Sequence, residues 1–371
     1  MQSPNTPPPN TPQNIPQGTA VQCNADNGFM EWLAGSKGSL VVSTYQAGKL
    51  LMIGWSGNQL SLLMRHYDKP MGMDTSANKL ILATRNNITL HSNDAILAKN
   101  YKQTGQYDAL YLPKVSWHTG DLNVHDIALA NNEVWFANTR FSCLAKLSDS
   151  YNFEPMWRPA FVSETVPEDR CHLNGLAMVK NKPRYVTCLG ETNTPGGWRE
   201  NKVSGGIIVD IKTNDIVQRD LAMPHSPRYY RDDLYVLNSG AGQLLKINPE
   251  DGSREVVCQL QGYLRGLSFV DTYAIVGLCK IRESNIFGGM PVQEKFEHLL
   301  CGIAIVHIKS GKQIGLFEFT SGCEEIFDTC FLAGSQRPNI FNTEKPESLE
   351  AFNAPEFSYW LRPQNMEEDL S

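Results

Sequence analysis

The chain has 371 residues, 39 of them acidic and 33 basic for a formal net charge of −6, and 41% are hydrophobic against 19% charged. That length can bury a large core. The charge balance excludes a broad basic footprint for nucleic acid or for a membrane surface, and no apolar stretch approaches the roughly 20 residues that span a bilayer.

Residues 1–25 are rich in Pro, Asn, Gln and Thr and read as a disordered lead-in with little to offer a core. They lack the basic and apolar regions of a signal peptide, so a soluble cytoplasmic protein is expected. The nine cysteines are scattered without a CxxC pair, which fits reduced, mostly buried thiols better than a disulfide framework.

From Leu40 the runs SLVVSTY, KLLMIGW and QLSLLMRH, separated by QAG and SGN, read as three successive strands. A repeat follows. PMGMDTSANKLILATRNNITL from Pro70, VHDIALANNEVWFANTRFSCL from Val124, PHSPRYYRDDLYVLNSGAGQL from Pro224 and LRGLSFVDTYAIVGLCKIRES from Leu264 share one layout. Met71, His125, His225 and Arg265 hold equivalent places. An apolar run begins nine residues after each, and the chain turns fourteen residues after each, at Arg85, Thr139, Ser239 and Cys279.

The first of these units is expected to close with the strands ITLHS and AILAKNY, followed by an excursion at 101–123. A variant unit, CHLNGLAMVKNKPRYVTCLGE from Cys171, puts His172 or Asn174 in the anchoring place. Its outer strands GGIIVDIKTNDIVQRDL are echoed by CGIAIVHIKSGKQIGLFEF at 301–319, and EEIFDTCFLAG from Glu324 supplies one more inner strand.

Short strands in groups of four, repeating about every 40–60 residues, are the signature of a β-propeller. An all-β chain with six blades is expected, the last inner strand joining the N-terminal strands in one closing blade; an inner strand in GFMEWLAG (28–35) would make seven. The propeller should occupy residues 26–361 as one domain, followed by an acidic disordered tail at 362–371.

In such a fold the loops that lead into first strands share a face with the loops between second and third strands. The longer insertions, at 101–123, 158–171, 190–202 and 280–298, therefore gather at one mouth of the channel, where loops on a rigid scaffold commonly carry function. The anchors start the first strands at that same mouth. His125, His172 and His225 would converge there as ligands of a divalent transition metal (Zn, Mn, Fe or Cu) with an open position. Asp126, Asn174 or Glu191 would complete or orient the set.

Arg85, Arg140 and Arg265 would bind or stabilise negative charge. Met71, Asn138, Asn174, Glu191 and Asn238 would line the site, with Trp198 as a lid or stacking platform. No GxSxG, Walker A, GxGxxG or HExxH motif is present.

TRNNITLH, HDIALANNEVWFANTRFSCL, HLNGLAM and PHSPRYYRDDLYVLNSGAGQLLKI resemble an uncharacterised bacterial family of conserved hypothetical proteins, over roughly residues 29–361. The resemblance implies a propeller and no particular activity. More distantly, the organisation resembles the six-bladed gluconolactonase and strictosidine-synthase group, whose members work at the channel mouth. The expectation is a metal-centred lyase or hydrolase, with an oxygenase as a further version, acting on a small polar or anionic molecule or a peptide side chain. The alternative is a non-catalytic propeller that binds a peptide, glycan or protein partner through the loop-rich face.

Overall fold

The computed structural model describes residues 20–281 and 288–362. Six blades of four antiparallel strands stand around an axis, and two of them gain a fifth strand, which in the second blade is Pro338–Ile340, paired in parallel with its outer strand. In the closing blade the inner strand Asp328–Ala333 pairs with Gly38–Thr44, followed outward by Lys49–Ser56 and Gln59–His66. The other inner strands, from the second blade to the sixth, are Met73–Ser76, Val124–Ala130, Leu173–Val179, Pro224–Tyr230 and Tyr263–Val270. Apolar side chains on both sheet faces explain the continuous hydrophobic runs. Gly38–Thr44 is buried along its whole length, as is Gly206–Asp210, because each blade is covered on both sides by its neighbours.

Closure by strands from the two ends gives six blades, as the repeat predicts. The seven-blade alternative falls because GFMEWLAG lies in a helix, Asn27–Ser36. Asp26 caps it by accepting the Phe29 amide hydrogen bond at 2.7 Å. Phe29, Trp32 and Leu33, spaced i, i+3, i+4, form the buried face of that helix.

The expected N-terminal boundary also moves. Gln22–Ala25 adds a fifth strand to the sixth blade by pairing with Lys312–Ser321, while residues 1–19 lie outside the described part. Of the expected acidic tail, residues 363–371 lie outside it too.

A further correction concerns the second blade. AILAK is not a strand but a short helix, Ala95–Lys99, with Asp94 as its cap, and the outer strand is Ala109–His118, inside the expected excursion. The insertion therefore lies at 94–108, between third and fourth strands, on the face opposite the histidines. There the hairpin Ala351–Ala354 and Phe357–Trp360 packs on it through Trp360, whose ring stacks on Tyr101 at 5.4 Å. All nine cysteines are free, and eight are buried. Among the described residues no helix is long and apolar enough to cross a membrane.

Candidate functional site at the channel mouth

Four inner strands carry a β-bulge at the anchor. Their pairing registers slip between Val124 and Ile127, Leu173 and Gly175, His225 and Arg228, and Leu264 and Leu267. A bulge turns the strand locally and re-aims side chains. His172 and Ser226 adopt left-handed backbone, with φ of 50° and 51°, conformations that side-chain-bearing residues adopt at a cost.

At Gly266, φ is 78° and a Cβ would stand 2.8 Å from Asp328 Cα, so the sixth blade can approach the closing one only with glycine there. Its amide donates to Ser226 Oγ at 3.1 Å.

The bulges gather the three histidines. The His125 ring centre is 4.7 Å from that of His172 and 5.8 Å from that of His225, and all three rings are buried or nearly so. His125 Nδ1 lies 3.0 Å from the Asn123 carbonyl and 2.8 Å from Thr139 Oγ1, whose own proton goes to the Leu173 carbonyl at 2.6 Å. A carbonyl can only accept, so Nδ1 carries the proton and Nε2 keeps its lone pair.

His172 Nδ1 is 2.8 Å from Asp169 Oδ2, which fixes the same tautomer. His225 Nδ1 meets Ser226 Oγ at 2.9 Å, while its Nε2 is buried with no hydrogen-bond partner among the described residues. Burial is the main force holding the His125 and His225 pKa values well below the usual imidazole range, helped by Arg265 and by the neighbouring imidazoles. Both rings are therefore neutral at neutral pH.

Arg265 and Phe327 complete this layer. The Arg265 guanidinium bonds Glu325 at 2.5 Å and lies 5.2 Å above the Phe327 ring, which packs against His125 at 5.3 Å and His225 at 6.1 Å. Trp198 is buried, packs on His172 at 4.4 Å and donates from Nε1 to Asp169 Oδ2 at 3.1 Å. Arg199 covers its ring at 4.3 Å. The tryptophan is thus a wall of the site, and its loop reaches the mouth as expected.

Several other expected contributors stand elsewhere. Met71 is buried in the apolar packing around Phe327. Arg85 and Arg140 lie on the rim, each bound to a carboxylate, Asp68 at 2.8 Å and Asp121 at 3.2 Å. Glu191 pairs with Arg219 at 2.5 Å. Asn174 joins the Pro224 carbonyl to Thr187, Asn238 receives the Ala222 amide, and Asn138 receives the Phe141 amide. These asparagines tie loops and blades together, because short amides satisfy turn backbone better than they reach across a channel.

Asp126, expected beside the histidines, instead accepts the Leu176 amide at 2.9 Å and pairs with Arg228 at 2.7 Å one layer deeper. Asp169 is the acidic partner of His172 that the reading of the sequence missed; its only signal there is a carboxylate three residues before the histidine. Glu325 and Phe327 fall in the EEIFDTCFLAG segment, which the sequence marks as an inner strand and not as a site.

The mouth is closed beneath by that deeper layer, in which Arg228 reaches across the channel to Asp126 and stands 3.7 Å from Asp328. As the side chains stand, no three His, Cys, Asp or Glu among the described residues form a finished metal-holding group.

A model of a domain of unknown function, DUF4915, matches residues 27–341, and the chain belongs to that family. No curated protein matches it. Among solved structures, a chain of a nidogen/laminin complex is similar at TM-score 0.51 and 10% identity, covering 80% of this chain and 99% of that one. A protein of unknown function from Bacteroides caccae is similar at TM-score 0.50 and 9% identity, covering 80% and 98%. A streptogramin B lyase structure reaches TM-score 0.37 at 12% identity, covering 74% of each chain. The first two likenesses, at such identities, bear on the propeller fold alone and not on activity.

Proposed function

We propose that the histidine mouth is the functional centre of an enzyme that takes a divalent transition-metal ion (Zn, Mn, Fe or Cu) and acts on a small polar or anionic molecule by lyase- or hydrolase-type chemistry. The observation that carries this reading is the arrangement of the imidazole nitrogens. Three rings from three successive blades stand side by side, each Nδ1 is held by a protein group, and Nε2 of His225 is buried without a partner. A buried ring nitrogen left without a partner costs about 1–3 kcal/mol, and protein acceptors on Nδ1, as at His125 and His172, are how metal-binding imidazoles are commonly oriented.

His125, His172 and His225 would hold the ion, which when bound supplies Lewis-acid polarisation of an oxygen or an activated water. Asp169 keeps the His172 proton on Nδ1. Arg265 places positive charge beside the rings, where an anionic group is stabilised and Glu325 fixes the guanidinium.

The test is elemental analysis of protein purified without an affinity tag, together with thermal melting in the presence of Zn, Mn, Fe or Cu. About one ion per chain, with loss of that ion in His125→Ala and His172→Ala, is expected. Absence of a stoichiometric ion and an unchanged melting temperature with every metal would overturn the reading.

A further inference from the structure

Below the Arg228 layer the channel opens again as a cavity of about 310 Å³, lined by residues from the inner strands of all six blades. This is at the small end of the range of ligand pockets, about 300–1,000 Å³. Its lining includes Phe269 and Phe331, Met73 and Met178, and the hydroxyl-bearing Thr75 and Ser268. Tyr230, stacked on Phe269 at 4.6 Å and within 8° of parallel, extends the aromatic wall. The mouth built on the histidines lies at the other end of the same strands.

The charges at the floor do not balance. Asp126 and Asp328 share Arg228, and Arg228 is engaged at every nitrogen: Nε donates to the Leu267 carbonyl, one terminal nitrogen to Asp126, Leu176 and Pro227, and the other to Asp126. The guanidinium therefore has little left to offer an incoming anion. Asp74 is different. Its two oxygens take the Thr75 and Leu129 amides at 2.8 Å, which leaves a lone pair on each, and no cation touches it among the described residues.

The carboxylate lines the cavity. Arg228 is already paired with Asp126, so of the charged lining residues the Asp74 carboxylate stands without a cation against it, beside the apolar and aromatic side chains of the cavity. A bare divalent ion would need several oxygen ligands at once, whereas Asp74 is the one carboxylate among the lining residues.

We infer that this lower half of the channel is a binding site for a small organic cation, an ammonium group carried on an aromatic or alkyl body, separate from the histidine mouth. The ammonium bonds the Asp74 carboxylate, and the body packs between Phe269, Phe331 and Met178. Burial raises Asp74 to about 6, so below that pH the acid is protonated and the cation loses its partner. Binding then weakens by up to about tenfold per pH unit as pH falls below 6.

Calorimetric titration of the full chain with 2-phenylethylamine, and with 3-phenylpropanoate as its anionic counterpart, tests the assignment. Expected are saturable one-to-one binding of the amine at pH 7.5 with a Kd below about 1 mM, no binding of the carboxylate, and at least about a tenfold loss in Asp74→Asn. Thr75→Leu fills the cavity without touching the charged floor, so it should weaken binding while melting cooperatively; this protects the test if Asp74→Asn folds poorly. His172→Ala should bind the amine like the parent chain, which separates this site from the metal proposal. No saturable amine binding, equal binding of the carboxylate, or amine binding indifferent to both Asp74→Asn and Thr75→Leu would overturn it.

Discussion

Asp169 shows how much of the mouth depends on single atoms. Its Oδ2 receives both His172 Nδ1 and Trp198 Nε1, so one carboxylate sets the tautomer of a ring and the position of the wall beside it. Asp169→Asn keeps the shape but places an amide hydrogen-bonding group where a carboxylate fixed the imidazole. Metal affinity should fall about 10–100-fold, measured by competition with a chelator, and Asp169→Glu should restore part of it, which a purely structural role for the side chain would not predict. His125 and His225 carry a further consequence. Their pKa values are depressed in the folded chain, so the unfolded chain takes up protons first as pH falls below about 6.5. The stability that comes from keeping these rings neutral is present above that value and lost below it. A melting series between pH 5 and 8 should show this contribution vanish in the double variant His125→Gln with His225→Gln.

Among the elements, three of the six inner strands do more than line a channel, because their first carboxylates sew neighbouring blades together. Asp328 takes the Met73 amide, Asp74 the Leu129 amide and Asp126 the Leu176 amide. Arg228 then crosses from the fifth blade to meet Asp126 and Asp328. Replacing it by Met removes the cation from a buried carboxylate layer, a change that commonly costs about 3–5 kcal/mol, to be read as a lowered denaturant midpoint. The raised acids work in the opposite direction to the histidines. Burial lifts Asp328 to about 7 and Asp74 to about 6, so the folded chain holds these protons longer than the unfolded one, and stability from this layer declines as pH rises from about 4 to 7. Asp74→Asn should make that decline shallower.

The inner hairpins were legible in the sequence because the distance from anchor to apolar run to turn is constant, and the placement of His125, His172 and His225 at one mouth followed from it. The helices Asn27–Ser36 and Ala95–Lys99 were not, since at one to three turns their signal is little more than a capping Asp26 or Asp94 beside an apolar face. The deeper carboxylate layer was also hidden. Asp126 adjoins His125 in sequence, and only the bulge sends one side chain to the mouth and the other to the channel floor.

For the whole molecule the question is what closes the ring. Asp328–Ala333 pairs with Gly38–Thr44 across nearly the entire chain, and the same segment brings Phe327 to the histidines and Asp328 to Arg228. Closure, mouth and floor thus depend on one strand. Ending the chain after Phe327 would leave the fully buried strand Gly38–Thr44 with an open edge and Arg228 with one carboxylate fewer. Ending it after residue 345 keeps that strand and removes the helical turn Pro346–Leu349, whose Glu347 accepts from Tyr101, and the hairpin that covers Tyr101 through Trp360. The shorter chain should lose its cooperative thermal transition, while the longer one melts cooperatively at a lower temperature than the full chain. Cooperative melting of the chain ending at Phe327 would mean that the blades hold together without the closing strand, and that the ring is a consequence of their packing rather than its cause.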